Sequence, residues 1–529
     1  MNKKLVILDL NKDIDLKIDE SDIIQTSTGC AKIGDSNLIN PNFYNKERFE
    51  IFKKKLFKKL SKNLQFVKKN LSNYDPHELE IFNLRNDKYK IYDKIFIFSE
   101  LTKYLSKRKN QYQTIELISD NNNYFKFYKS LKIKNLKISF FKHNEHRIGK
   151  IYFIQKSINF YLKTFILIIF SKILIKKESY KKKMEACLSL FPLYYKDKEN
   201  LFYPKKYLNI NFLITDESHL GNSLLRNILL LQKLKKINNI VIIEKHINIM
   251  HLLCCLFRNL FSISYKLNKI LNKKTFFDRM DISLPINNLI IMSILNRSKL
   301  SIYDKALLNI FKSFQIKKFH YFMFEYNFGF YLSNILKKKI PSLTLVGYQH
   351  GIFSDRLMWV ELLKKYKFRD KYYPHVIICK YLYSLNSYKK YFSTCKLKFK
   401  KSLNNYKNLK IKVKKTNKLS NKKKILVFLG LHDTYEMINI LRHRNDIENK
   451  NKFYLKFHPK KPLDQSIRLA KNFIFNNLTK IKNFDLIILS SSSTMVYDFL
   501  KYKIPFKILK SQRMAPLTPK KIDNRISYF

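Results

Sequence analysis

The chain has 529 residues and a net charge of +64, from 104 Lys and Arg against 40 Asp and Glu. Its 46% of hydrophobic residues suffices for the cores of two or three domains. There is no zinc-finger spacing, no G-x-G-x-x-G and no Walker motif, which excludes a nicotinamide enzyme, a P-loop NTPase and the common nucleic-acid modules.

Residues 1–145 read as an N-terminal α/β region. Leu5–Leu10, Ile95–Phe98, Thr114–Ile118 and Leu136–Phe141 are short apolar runs of strand character. Glu47–Lys69 is a Lys-rich helical stretch. The N-terminal apolar run breaks at Asp9, too early for a signal peptide. Asp13 and Asp15 form a D-x-D, a pattern that also holds metal–nucleotide pairs, within an acidic loop that gives it no other support.

Residues 146–199 read as a basic and apolar helical connector. Ile158–Ile175 is dense in large apolar residues but is interrupted by Lys163 and Lys172. A membrane-spanning helix needs about 20 mostly apolar residues. The two lysines fall on opposite faces at helical spacing, which argues against a clean span and a clean amphipathic stripe. A helix at the membrane interface and a buried helix fit about equally.

Residues 200–373 predict one Rossmann-like domain, with strands at Leu208–Ile214, Ile240–Ile243, Lys318–Phe324 and Leu343–Val346. Helices are expected near Leu224 and over His246–Leu271. Two strand ends carry polar groups: Glu325-Tyr326-Asn327, and Gly347-Tyr348-Gln349-His350-Gly351. Two glycines around His350, in a chain with only eight, predict a tight turn. A histidine there is suited to general-base work near neutral pH, or to bonding within its own turn. His219 and His432 are weaker candidates of the same kind.

Residues 374–529 repeat the alternation, with strands at Val376–Cys379, Lys424–Leu429, Phe453–Phe457, Leu486–Leu489 and Phe506–Leu509. A basic linker, Lys396–Lys424, interrupts them. Gly430 follows one strand and opens a ligand loop. Lys456 and His458 end the next, where open α/β sheets bind ligands. Ser490–Ser493 and Thr494 lie between a strand and a helix, as phosphate cradles do and as ordinary capped helices also do.

A strand ending in His-Pro (His458-Pro459) followed by one ending in Ser-Ser resembles the donor domain of GT-B glycosyltransferases. The segment is most similar to enzymes using cytidine nucleotides: bacterial sialyl- and polysialyltransferases, capsule Kdo transferases and CDP-glycerol glycerophosphotransferases. The resemblance covers the last third of the chain well and the middle third in part. It implies an α/β fold with a GT-B-like pair of Rossmann-like domains beside the N-terminal region. It implies that Lys456, His458, Gly430, Ser491, Ser492, Ser493 and Thr494 hold a nucleotide donor. The glycine-flanked His350 resembles the base of the glycerophosphotransferases, with Glu325 orienting it or meeting the acceptor.

The expected activity is transfer of a sugar or sugar-like group to a bacterial surface polysaccharide, of capsule or O-antigen type, or to its lipid-linked precursor. No metal or cofactor is expected. The alternatives are a GT-B-fold nucleotide-sugar epimerase, a non-catalytic glycan-assembly scaffold and, on charge alone, a nucleic-acid binder. Part of the charge matches a composition rich in Lys, Asn, Ile, Tyr and Phe. The remainder favours an anionic membrane surface over nucleic acid. Together with six cysteines that show neither a CxxC pair nor framework spacing, this predicts a cytoplasmic protein peripheral to the inner face of the plasma membrane.

Overall fold

A computed structural model of the chain describes residues 3–10, 17–18, 21–27, 32–33, 37–39, 41, 43–71, 91–108, 111–121, 124–140, 149–175, 184–189, 207–211, 224–234, 240–322, 327–349, 353, 358–365, 370–400, 412–413, 423–430, 433–442, 451–457, 473–475, 483–493, 495–501, 504–509 and 527–528. Among these the chain is mixed α/β, built on three parallel sheets.

The first sheet holds β1 (Lys4–Asp9), β2 (Asp22–Gln25), β3 (Asn37–Leu38), β4 (Thr114–Ser119) and β5 (Leu136–Phe140), in the order β3-β2-β1-β4-β5. The first strand is thus central, and the chain winds outward to both sides. β1 is apolar on both faces, Leu5 to Leu8 being fully buried, as a central parallel strand requires. Helix α1 (Lys46–Asn70) is capped by Asn45, whose side chain accepts from Arg48 N at 3.0 Å. Phe49, Phe52, Leu56, Leu60 and Leu64 form its buried face at helical spacing.

Ile95–Phe98, expected as a strand, lies inside helix α2 (Ile91–Ser106). All four residues are buried, and so are most others of the helix, so it shows no amphipathic period. A short apolar run of that kind cannot be told from a buried strand by pattern alone. Lys94 of α2 reaches Asp9 at the end of β1, Nζ to Oδ2 2.7 Å. Thr26 Oγ1 also donates to Asp9, at 3.2 Å, as does the hydroxyl of Tyr128.

Helix α3 (Lys150–Leu174) leads into the second sheet. That sheet holds β6 (Glu185–Ser189), β7 (Leu208–Asn211), β8 (Ile240–Ile242), β9 (Lys318–Phe322), β10 (Thr344–Tyr348), β11 (Val376–Cys379) and β12 (Lys396–Phe399). Their order is β8-β7-β6-β9-β10-β11-β12, again wound both ways from its first strand. Helix α4 (Leu224–Leu234) lies between β7 and β8. Helices α5 (Ile249–Phe257) and α6 (Ser264–Leu271) follow β8, joined without a break by a π-helical turn over Arg258–Ile263.

Three expectations change here. The stretch 146–199 is not all helix, because Glu185–Ser189 is the strand from which this sheet winds. β11, expected among the strands of the last region, pairs with β10 and belongs to this sheet. The expected linker begins as edge strand β12, with Lys396 and Lys398 exposed, as on protected sheet edges. The first two sheets share one hydrophobic core. Asn63 Nδ2 of α1 also donates to Thr275 Oγ1 at 2.9 Å in a buried contact between the two regions.

The third sheet holds β13 (Lys424–Phe428), β14 (Lys452–Lys456), β15 (Phe473–Phe475), β16 (Leu486–Ser490), β17 (Lys507–Leu509) and β18 (Ser527–Tyr528). The order is β15-β14-β13-β16-β17-β18. Helix α7 (Thr434–Arg442) follows β13 and α8 (Met495–Lys501) follows β16. Two apolar clusters cover its two faces, one around Leu426, Ile487 and Val496, the other around Val427, Met437 and Ile488.

Candidate functional site

The third sheet winds in opposite directions from β13: β14 and β15 lie on one side, β16 to β18 on the other. At such a switch point the connections leaving two neighbouring strands diverge and open a crevice at their carboxyl ends. β13 and β16 are those neighbours, paired from Ile425↔Leu486 to Phe428↔Leu489. Their carboxyl ends deliver Gly430 and Asp433 from one side and Ser490 to Ser493 from the other.

Asp433 is fully buried. Ser490 Oγ lies 2.8 and 2.6 Å from its two oxygens, and Ser492 Oγ lies 2.9 Å from Oδ1. Each hydroxyl has one proton, so the accounting closes with Ser490 donating to Oδ2 and Ser492 to Oδ1. Ser490 Oγ in turn accepts from the backbone N–H of Ser492 at 2.9 Å. Thr434 Oγ1 donates to the carbonyl of Gly430, which ties α7 back to the strand end. The network needs Gly430. A Cβ there would lie 2.1 Å from Asp433 Oδ1, 2.2 Å from Ser492 Oγ and 2.3 Å from Ser490 Oγ.

This geometry separates the serines. The Ser492 proton is committed to Asp433. Ser491 is buried, and its N–H donates to Leu509 O at 3.2 Å. Ser493 is half-buried, and among the described residues its hydroxyl accepts from Met495 N at 3.2 Å. Its own proton therefore remains for an outside acceptor. Lys456 is half-buried at the end of β14, where its carbonyl accepts from Leu429 N at 3.0 Å. Lys456 and Ser493 thus keep part of their surface open near this edge, while Asp433, Ser490 and Ser492 are buried and hold the turn. The sequence placed Asp433 only as a neighbour of Gly430; its partnership with Ser490 joins residues 57 apart. His458, Thr494 and His432 lie outside the described residues.

His350, Glu325, His219 and the D-x-D of Asp13 and Asp15 also lie outside the described residues. The residues on either side of 350–352 are firmly held. Gln349 is fully buried, its Oε1 accepting from Lys380 N at 3.0 Å, and Phe353 N donates to Ser384 Oγ at 3.1 Å. Next to Lys380, Tyr381 packs on Tyr497 of α8 with ring centroids 5.4 Å apart, and Tyr383 stacks on the same ring at 6.2 Å. The strand end before His350 is therefore joined by contact to the helix that follows the serine turn.

A second polar cluster had no strong signal in the sequence. His320 is buried in β9, its Nε2 3.2 Å from Glu185 and its Nδ1 3.0 Å from the hydroxyl of Tyr348. Tyr207 stacks on the imidazole at 4.7 Å. Burial pushes the His320 pKa down to about 4, against the hydrogen bond it donates to Glu185, which raises it. The ring is then neutral near pH 7. The Glu185 carboxylate can only accept, so Nε2 carries the proton and Nδ1 accepts from Tyr348. Burial likewise raises Tyr207 to about 12. The chain Glu185–His320–Tyr348 ends one residue before Gln349 and two before His350. The alternation of Lys318, His320 and Phe322 against Phe319 and Tyr321 in β9 was its only trace.

Among the described residues no group of His, Cys, Asp and Glu is arranged to hold a metal ion. No family model, no curated protein and no solved structure matches this chain.

Proposed function

We propose that the chain is a GT-B-type transferase that takes a nucleotide-activated donor at the carboxyl edge of its third sheet and transfers the sugar or sugar-like group to a surface glycan or lipid-linked acceptor. The observation that carries this is the glycine–aspartate–serine network at the switch point, which ties together the carboxyl ends of β13 and β16, where open α/β sheets bind ligands. Lys456 and Ser493 meet the donor phosphates there, with His458 and Thr494 completing the grip. A lysine supplies charge and a hydroxyl supplies a directed donor, each charge-assisted bond being worth about 1.5–3 kcal/mol. His350 removes the proton of the acceptor hydroxyl as it attacks, a role that typically contributes roughly 10²–10⁴-fold. The Tyr381–Tyr497 contact supports an arrangement in which His350 and the serine turn serve one cleft.

A second reading, a non-catalytic scaffold, is favoured by one observation: Ser490 and Ser492 are satisfied by Asp433 and keep no hydroxyl proton for a ligand. Thermal shift with CMP, CDP, UDP and GDP separates the two, because a ligand that binds only the folded chain raises its stability by mass action. The transferase requires a shift with at least one nucleotide, reduced more than about tenfold in affinity by Lys456→Ala with Ser493→Ala. The absence of any shift points to the scaffold.

A further inference from the structure

Helix α3 is apolar on two sides, one packed against the protein core and one exposed. Its buried face carries Phe153, Phe160, Tyr161, Leu167 and Ile168, with Ser157, Thr164 and Ser171 between them seven residues apart, while Ile158, Leu162 and Ile173 are exposed on the other side. Thr164 and Ser171 donate to the carbonyls of Phe160 and Leu167 in their own helix, so their small side chains are satisfied at the packed face. Lys163 and Lys172, which break the apolar run in the sequence, do not break this surface. Taking about 100° of turn per residue, they lie roughly 100° to one side of Leu162 and 80° to the other. They are the two shoulders of an apolar stripe, where long side chains extend toward headgroups.

The neighbouring helices continue the face. α3 packs against α4, α5 and α6. On the continuous rod of α5 and α6, Phe257, Phe261 and Tyr265 stand 54%, 66% and 71% exposed at helical spacing. Among the described residues, twelve of the eighteen exposed large hydrophobic side chains lie on α3, α4 and the α5–α6 rod. That concentration is beyond what scattered surface apolar residues explain. The same three stretches contain nine Lys or Arg and no Asp or Glu.

We infer that α3, α4 and the α5–α6 rod form one docking face that lies in the headgroup layer of an anionic bilayer. The aromatic and aliphatic stripe enters the boundary of the acyl chains, and the flanking lysines meet anionic headgroups. The charge selects this occupant. A second copy of the chain would set the basic residues of this face, Lys163 and Lys172 among them, against their own like charges with no Asp or Glu in these stretches to offset them. A spanning α3 would leave Ser157, Thr164 and Ser171 facing its own second-sheet core and the aromatic stripe of the α5–α6 rod without a partner. The face stands independently of the transferase proposal, and a failed nucleotide assay leaves it untouched.

The test uses the full chain and sedimentation with phosphatidylcholine vesicles, with and without phosphatidylglycerol. Binding is expected to the anionic vesicles at low salt, with release at high salt. The triple variant Phe257→Ser, Phe261→Ser, Tyr265→Ser should weaken it about tenfold or more while leaving the unfolding midpoint in place. Should that variant fail to fold, a polarity-sensitive fluorophore on the exposed Cys254 of the unmodified face gives the same answer. Its emission shifts to the blue on anionic vesicles if the face docks. Equal binding to neutral vesicles, an unchanged affinity in the triple variant, or a fluorophore that stays wet overturns the inference. So does resistance to carbonate extraction, which indicates a span, or a dimer that the triple variant dissociates, which assigns the face to a second copy.

Discussion

Replacing Gly430 by alanine tests the switch-point network at its tightest place. The added Cβ would sit 2.1–2.3 Å from Asp433 Oδ1, Ser492 Oγ and Ser490 Oγ, whereas real Cβ contacts are essentially never under 3.0 Å. Each oxygen must therefore retreat by at least 0.7–0.9 Å, the difference between those values. The hydrogen bonds among the three are 2.6–2.9 Å long, and they cannot all survive such a displacement. None of the three oxygens belongs to a long flexible side chain that could swing away. Two bonds to a buried carboxylate, at about 1.5–3 kcal/mol each, set a loss of about 3–6 kcal/mol. The assay is native-state hydrogen exchange on peptides covering 423–430 and 486–493, because a chain of several domains need not unfold in one step. Protection there should fall by that amount while the first sheet is unaffected. If Gly430→Ala changes protection by less than about 0.5 kcal/mol, the range of ordinary surface substitutions, the network is not close-packed as described.

The remaining expectations address other parts of the molecule. Asp9→Ala strands Lys94, 7% exposed, without its carboxylate, and should cost about 3–5 kcal/mol in chemical denaturation followed on the first sheet. His320 resists protonation in the fold down to about pH 4, whereas an unfolded histidine takes its proton near 6.5. Between those values the unfolded chain holds more protons, so stability is complete above about 6.5 and falls by about 3 kcal/mol as pH drops toward 4. His320→Gln should flatten that part of the pH–stability curve; an unchanged slope would reject the buried neutral imidazole. On α3, Thr164→Leu overpacks the buried side and should cost about 1–3 kcal/mol, while Leu162→Gln on the exposed side should cost under about 0.5 kcal/mol in water. Equal costs in thermal unfolding would mean that the two faces are not distinguished.

The strand–helix alternation was legible in the residues themselves. Val376–Cys379 was read to the residue, and Thr114–Ser119, Lys452–Lys456 and Leu486–Ser490 within one at each end. Central parallel strands are continuous apolar runs closed by polar loops, and that is a local signal. The Gly430 loop and the serine run were visible for the same reason. Local pattern failed where burial comes from all sides, as at Ile95–Phe98, or where a strand is short and mixed, as at Glu185–Ser189.

What only the tertiary structure decided was which strands share a sheet and which side chains meet. Val376–Cys379 pairs with Thr344–Tyr348 and not with Lys424–Phe428, and nothing in its five-residue neighbourhood says so. Ser492 turns inward to Asp433 while Ser493, the next residue, stays half-exposed; the two read alike in sequence. Lys163 and Lys172 seemed to spoil a stripe until the packing of Ser157, Thr164 and Ser171 showed which side of α3 is inside. Periodicity reports that a helix has faces, but which face is buried depends on the surface it is packed against. That surface comes from residues far away in the chain.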